Sequence, residues 1–211
     1  MAENYQKKLD AELERIAGYD RKPRLLLHVC CAPCSSYVLE YLSHYFDITA
    51  CFYNPNIAPK SEYDYRAQEL MRLTQQMPLP SPVHCLIEPY DPQAFNQIAK
   101  GLENQPEGGA RCTACYRLRL EETAKIAAKD QYDYFTTTLS ISPLKDAERL
   151  NAIGRELSEQ YGVPYLYSDF KKREGYKRSI QLSAEYHLYR QDYCGCAFSK
   201  AESERRKADK I

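Results

Sequence analysis

The chain has 211 residues, with 29 lysines and arginines against 29 aspartates and glutamates. This length suffices for one well-buried core, so we expect a single domain, 1–211. Because the formal net charge is zero, overall charge does not attract nucleic acid to this chain. A nucleic-acid partner would have to be bound by a local basic patch. The sequence shows no signal peptide and no apolar run near the roughly twenty residues that span a bilayer. We therefore expect a cytoplasmic protein that does not enter a membrane.

The order of apolar and polar residues predicts alternating helices and strands. A leading helix is expected in 1–20. Short apolar runs predict strands at 24–29, 48–53, 83–87, 134–139 and 163–167. Helical spacing predicts helices at 35–45, at 61–77, from 112 onward, and from Ser142-Pro143 to Gly162. Strands and helices that alternate at these lengths predict the α/β class, with a parallel sheet over 24–168 and helices on both faces.

The remainder of the chain departs from this alternation. Residues 169–199 are rich in lysine, arginine and tyrosine and contain a C-G-C sequence. Residues 200–211 form a charged tail, which we expect to be frayed.

Six of the nine cysteines fall in three tight groups. Cys30 and Cys31 lie directly after the first predicted strand, where ligands of an open parallel sheet bind. Cys112 and Cys115 lie at a predicted helix N-terminus, which favours the thiolate. An iron–sulfur cluster can take Cys30 and Cys31 on different iron atoms, with Cys112 and Cys115 completing four ligands. Four thiolates also suit a structural zinc ion, which remains the chief alternative.

The third group, Cys194-Gly195-Cys196, allows two interpretations. A disulfide across so small a ring would be strained and easily reduced, which suits electron relay. The same pair could instead hold a second metal. The role of Cys34 stays open, whereas Cys51, Cys85 and His28 are interpreted as core residues.

A basic strip follows the last predicted strand. Its cations alternate with Phe170 and Tyr176, and they are Lys171, Lys172, Arg173, Lys177 and Arg178. Cations beside aromatic rings suit phosphates and stacked bases, although a charge run is often only a solvated face.

Five motifs in order resemble epoxyqueuosine reductase of the QueH type. They are LLLHVCCAPCSS, FYNPNIAPKSEYDYRAQEL, GARCTACYRLRLEETA, YFTTTLSISPLKD and YSDFKKREGYKRSIQLSAEYHLYRQDYCGCAFS, and together they cover about 25–199. The resemblance implies a nucleotide α-hydrolase-like (HUP) α/β fold. It also implies reduction of epoxyqueuosine to queuosine at the wobble position of tRNA, the last step of queuosine biosynthesis, without cobalamin.

The resemblance further implies roles for individual cysteines. Cys30, Cys31, Cys112 and Cys115 would ligate a 4Fe-4S cluster. Cys194 and Cys196 would be a redox-active pair or would help to hold an additional iron. The family can carry aspartate, proposed as an iron ligand, at the position of Cys34, so a thiol there would alter that site. The expected partners are tRNA, held at its phosphates by the basic strip, and an unidentified electron donor.

Two other functions compete with this interpretation. An ATP-dependent tRNA-modifying enzyme of the PP-loop class would carry a glycine-rich turn after the first strand, where this chain has C-C-A-P-C-S-S. A zinc-stapled RNA-binding module without catalysis would explain four cysteines but not the C-G-C pair.

Overall fold

Four parallel strands form the sheet in the computed structural model, which describes residues 3–208. The strands are β1 (Arg24–His28), β2 (Asp47–Phe52), β3 (His84–Ile87) and β4 (Tyr134–Thr137). They lie in the order β3-β2-β1-β4, so β1 is central and pairs with β2 and β4. The prediction of a parallel α/β sheet is therefore confirmed.

Eight helices accompany the sheet within the described residues. They are α1 (Tyr5–Ala17), α2 (Ala32–Leu42), α3 (Lys60–Gln76), α4 (Pro92–Ala99), α5 (Ala110–Lys129), α6 (Ala147–Tyr161), α7 (Gly175–Glu185) and α8 (Ala197–Ala208). A 3-10 turn, Thr138–Ile141, follows β4. None of the helices in residues 3–208 is both long and apolar enough to cross a membrane.

The side chains of β1 divide the core into two layers. Leu25 and Leu27 pack into one cluster with residues of α1, α2 and α3, whereas Leu26 packs into a second cluster with residues of α5 and α6. All three leucines are fully buried. A strand buried on both faces explains why its sequence shows no polar alternation.

The predicted fifth strand, 163–167, is wrong. The segment makes only one isolated bridge to the sheet, between Tyr165 and Phe135. Pro164 accepts a hydrogen bond from Phe135 but has no N–H to donate, so the ladder does not extend. β4 is also shorter than predicted, because Thr137 Oγ1 accepts the backbone N–H of Leu139 and starts the 3-10 turn.

The other differences lie in helices. α4 was not predicted, and α6 begins after Asp146, whose carboxylate caps it, rather than at Ser142-Pro143. α7 and α8 organise the segment that the sequence left irregular. The expectation of a frayed tail at 200–211 is wrong as far as Ala208, because α8 buries Ser203 and pairs Arg206 with Glu107. Residues 209–211 lie outside the described residues.

Candidate metal centre

The first group of thiols lies at the carboxyl end of β1. Cys31 is the extended residue that precedes α2, and Pro33 occupies the first turn of that helix, where a missing N–H costs nothing. The sulfurs of Cys30 and Cys31 are 3.9 Å apart. Together with Cys34 they form a group whose sulfurs all lie within 4.8 Å of one another. This triad can hold a metal ion.

The second group lies at the N-terminus of α5, as predicted. The backbone N–H of Gly108 donates to Cys112 Sγ at 3.2 Å, and Arg119 Nη1 donates to Cys115 Sγ at 3.7 Å. The expected lowering of the thiol pKa does not hold for Cys115, whose pKa is raised because burial outweighs the attraction of Arg119.

The third group is fixed by Gly195, which has a φ of 112°. A Cβ at this position would lie 3.0 Å from both Arg66 Nη1 and Ile57 Cγ1, and the Gly195 carbonyl accepts the N–H of Ala58 at 3.0 Å. Both the backbone conformation and the space therefore favour glycine. All nine cysteines, each within the described residues, carry free thiols, so Cys194 and Cys196 are not joined in this structure.

A cavity of about 360 Å³ opens above the first group of thiols. Its sulfur-bearing walls come from Cys30, Cys31, Cys34 and Cys194. A much smaller cleft on the other side is lined by Cys112, Cys115, Cys194 and Cys196. Cys194 borders both spaces and so links the first group to the second, whereas the sulfurs close enough to share one metal ion among the described residues are those of Cys30, Cys31 and Cys34.

Hydrogen bonds distribute charge unevenly among the clustered thiols. Cys31 and Cys34 direct hydrogen bonds to Cys30, which holds the pKa of Cys30 well below its usual range despite burial. The same interaction raises the pKa of Cys31 to about 12, and the pKa of Cys34 also rises. Cys30 is therefore the preferred thiolate of the triad.

Sequence reasoning missed four buried cations around these thiols, of which Arg111 is 2% exposed and lines the smaller cleft. Arg66, Arg119 and Lys145 are 2%, 1% and 8% exposed, respectively. Arg66 and Lys145 line the cavity, and Arg119 contacts Cys115 from below. A usable signal was present for Arg119, because it follows Cys115 by four residues and so lies on the same helix face.

The residues interpreted as core lie mostly inside. His28 is fully buried, with Thr137 Oγ1 2.8 Å from its Nδ1 and Arg119 Nε 3.3 Å from its Nε2, and Cys51 is fully buried on β2. Cys85 is half-buried on β3, where its sulfur lies 3.4 Å from Thr74 Oγ1. None of these three residues lines either sulfur-bearing space.

The basic strip is largely paired with carboxylates. Lys171 pairs with Asp169 at 2.9 Å, Arg173 with Asp10 at 2.6 Å, Lys177 with Glu174 at 3.0 Å and Arg178 with Glu40 at 2.5 Å. Lys172 is exposed and has no carboxylate within 4 Å among residues 3–208. Phe170 is buried in the core, whereas Tyr176 reaches the cavity.

Comparison with known proteins gives consistent results. Residues 25–202 match the family model described as epoxyqueuosine reductase QueH. The epoxyqueuosine reductase QueH of Staphylococcus epidermidis is 44% identical over 200 residues, which cover 93% of this chain and 84% of the relative. That of Streptococcus pyogenes serotype M1 is 43% identical over 84% of this chain and 71% of its own length. That of Thermotoga maritima is 35% identical over 88% of this chain and 94% of its own length.

A solved structure shows a weaker likeness. It is a predicted subunit of tRNA methyltransferase from Methanocaldococcus jannaschii, with 14% identity and a TM-score of 0.47 over 76% of this chain and 75% of that one. This likeness carries no functional information. The family model covers nearly the same span, 25–199, on which the sequence resemblance depends. The chain belongs to the epoxyqueuosine reductase QueH family.

Proposed function

We propose that this protein reduces epoxyqueuosine in tRNA to queuosine. The main support for the proposal is the cavity lined by free thiols. The relatives of this chain are named for the same reaction. Removing the epoxide oxygen to leave an alkene requires two electrons and two protons, and it releases water. Neither the zinc-stapled module nor the ATP-dependent enzyme is favoured by any observation on the described residues.

The residues present fit an iron–sulfur cluster. Thiols converge from two elements, and buried cations beside them can balance the negative charge of a thiolate-bound cluster. We assign Cys30, Cys31, Cys112 and Cys115 as the ligands of a 4Fe-4S cluster. When bound, the cluster would supply electrons to the reaction. The electrons would reach it from a donor that is still unidentified.

Cys34, Cys194 and Cys196 extend this assignment. Cys34 completes the triad at the cavity floor, which supports its inclusion among the metal ligands. Cys194 and Cys196 act either as a redox-active pair or as ligands of an additional iron. The position of Cys194 between the cavity and the smaller cleft suits both roles.

The cavity supplies groups that can handle the departing oxygen. Lys145 Nζ and the Tyr193 side chain line it near Cys194. Burial opposes the charge on Lys145, yet the neighbouring Cys194 and Tyr116 raise its pKa, so the ammonium stays protonated at neutral pH. An ammonium in this place can donate a hydrogen bond to an oxygen that gains negative charge.

We propose that the modified base enters through the mouth of the same cavity. A wobble base in a single-stranded loop can be splayed out at modest cost and stacked on an aromatic ring. Tyr176 is partly exposed and lines the cavity, with Arg190 Cζ 5.9 Å from its ring centre. We assign binding of the anticodon-loop phosphates to the basic strip, which comprises Lys171, Lys172, Arg173, Lys177 and Arg178. We also propose that the protein is cytoplasmic.

The test begins with anaerobic purification. Iron, sulfide and zinc are quantified and the visible spectrum is recorded, and then tRNA that carries epoxyqueuosine is incubated with the protein and a chemical reductant. We expect about four irons with sulfide, a broad charge-transfer band, and queuosine in the nucleoside digest. Zinc alone, after attempted anaerobic reconstitution with iron and sulfide, would contradict the proposal and favour the structural module.

A further inference from the structure

Arg119 lies in the interior of the molecule, in contact with the sulfur of Cys115. It is on α5, one helical turn after Cys115, and is 1% exposed. Burying a guanidinium is costly unless an anion or a full set of acceptors replaces the lost water. The groups that surround Arg119 therefore indicate which kind of negative charge balances the guanidinium at this position.

Those partners include no carboxylate. Among residues 3–208, no aspartate or glutamate oxygen lies within 4 Å of the Arg119 nitrogens. The side-chain atoms that accept its hydrogen bonds are Cys115 Sγ at 3.7 Å and His28 Nε2 at 3.3 Å. The nearby sulfurs of Cys115, Cys194 and Cys30 raise its pKa against the effect of burial.

The other two buried arginines provide a contrast. Arg66 pairs with Glu62 at 2.8 Å. Arg111 Nη1 donates to three backbone carbonyls, and Arg111 lies 3.9 Å from Glu202. Ordinary protein groups balance the charge of Arg111, and Arg66 has a carboxylate partner in addition to the nearby Cys31 sulfur. At Arg119 that balance falls to sulfur.

His28 fixes the direction of the guanidinium. Its Nδ1 lies 2.8 Å from Thr137 Oγ1 at the end of β4, and its Nε2 faces Arg119 Nε. With Nδ1–H donating to Thr137 Oγ1, Nε2 of the neutral ring accepts from Arg119 Nε, and the Tyr53 carbonyl oxygen 3.2 Å from Nε2 then receives no hydrogen bond from the ring. The buried sheet thus holds the cation against the thiols, on the side away from the cavity.

We propose that Arg119 is a positioning residue that sets the reduction potential of the sulfur-bound centre. This inference rests on the proposed iron–sulfur cluster. Reduction adds negative charge to the centre, and a fixed cation at hydrogen-bonding distance from a ligand sulfur stabilises the more negative state. Removing the cation makes reduction harder and leaves the cavity lining unchanged, because Arg119 does not face the substrate.

The experiment compares Arg119→Gln and Arg119→Lys with the wild type. The matched control is Arg117→Gln on the same helix, because Arg117 is exposed and pairs with Glu156. The midpoint potential is measured anaerobically by redox titration of the visible band, with iron and sulfide content determined on the same samples. Circular dichroism of the metal-free proteins reports folding.

We expect Arg119→Gln to disfavour the reduced state at least about tenfold, a shift of about 59 mV to lower potential for one electron. Arg119→Lys should recover most of this shift, and Arg117→Gln should match the wild type. If Arg119→Gln folds but binds no iron, it has no potential to measure, and the potential of His28→Gln decides the inference.

A loaded Arg119→Gln protein with the wild-type potential would overturn the inference and leave the proposed function intact. A wild type that holds no iron would overturn the proposed function itself. If neither Arg119 variant folds, His28→Gln provides the measurement, because it keeps the cation and releases its anchor. Its potential should move in the same direction by a smaller amount, and an unchanged potential would count against the inference.

Discussion

The protein holds two sets of cations that differ in burial and in partner. Those of the basic strip are exposed or half-exposed, and four of the five pair with carboxylates of the protein. Arg119 is buried behind the thiols without a carboxylate partner among the described residues. The strip is more conspicuous in the sequence, but its charge is mostly neutralised locally. Arg119, which is buried without a carboxylate partner among the described residues, indicates more clearly where a metal–thiolate centre would place negative charge.

The largest expected effect is the loss of the cluster when a ligand sulfur near Arg119 is removed. Cys30→Ser and Cys115→Ser should each abolish cluster assembly and, with it, all reductase activity, since a serine hydroxyl is a poor substitute for a thiolate ligand. Iron and sulfide analysis after anaerobic reconstitution measures this. Cys85→Ser, on β3 and outside both sulfur-bearing spaces, is the control that should load normally. A full cluster in either ligand variant would reassign that ligand.

A cation with an ordinary carboxylate partner sharpens the comparison. Arg72 donates two hydrogen bonds to Glu69, which holds the pKa of that carboxyl below its usual value. Glu69 is therefore protonated more readily in the unfolded chain, and its contribution to stability is present above pH 4.5 and lost as the pH falls through the folded pKa. We expect Glu69→Gln to lower the free energy of unfolding at pH 7 by about 1–3 kcal/mol.

Urea unfolding of the metal-free protein at pH 7 and at low pH tests this prediction. The difference between wild type and Glu69→Gln should shrink as the carboxyl becomes protonated. A difference that is constant with pH would show that packing rather than charge is responsible. Arg119 should show no such acid dependence from a carboxylate partner.

Within the strip, the comparison predicts unequal roles in binding tRNA. Lys172 makes no ion pair with a carboxylate among the described residues, so it is available to a phosphate. Lys172→Ala should therefore weaken tRNA binding and reduce the slope of log affinity against log salt concentration by about 0.7–1. Arg173→Ala should have a smaller effect because Asp10 already neutralises Arg173. Binding of unmodified tRNA titrated at several salt concentrations measures both. Equal slopes for wild type and Lys172→Ala would remove Lys172 from the interface.

The smallest effect is expected for Arg178, which makes a two-pronged pair with Glu40 of α2. Partly exposed pairs contribute about 0.2–1 kcal/mol, so Arg178→Ala should lower the free energy of unfolding by no more than this. A double-mutant cycle with Glu40→Gln isolates the pair. A coupling energy near zero would show that Arg178 is available to a phosphate.

Local patterns predicted the part of the fold that the site depends on. The apolar run of β1, the cysteines at its carboxyl end and the helix after Cys112 were all predicted from periodicity and position. Strand topology indicated where the first two cysteine groups lie, whereas a role for the third group beside them was implied by the family resemblance. Convergence is therefore readable when each group lies at the end of a recognisable element.

The parts that were missed depend on tertiary contacts. A charged sequence such as that of α8 looks like a solvated tail, and only its contacts with Glu107 and the burial of Ser203 dock it. Arg66, Arg119 and Lys145 look like ordinary surface cations in the sequence. Their burial follows from the packing of α3, α5 and the loop before α6 around the thiols, which no local pattern specifies.

The close packing of Gly195 has a consequence for the order in which the cavity is completed during synthesis of the chain. Cys30 is synthesised early, but the cavity wall that contains Cys194 is completed only when Gly195 packs against Ile57 and Arg66, 153 residues after α2 ends at Leu42. Until then the early thiols face solvent and oxygen without that cover. A chain that ended before Cys194 would therefore lack one wall of the cavity over the early thiols.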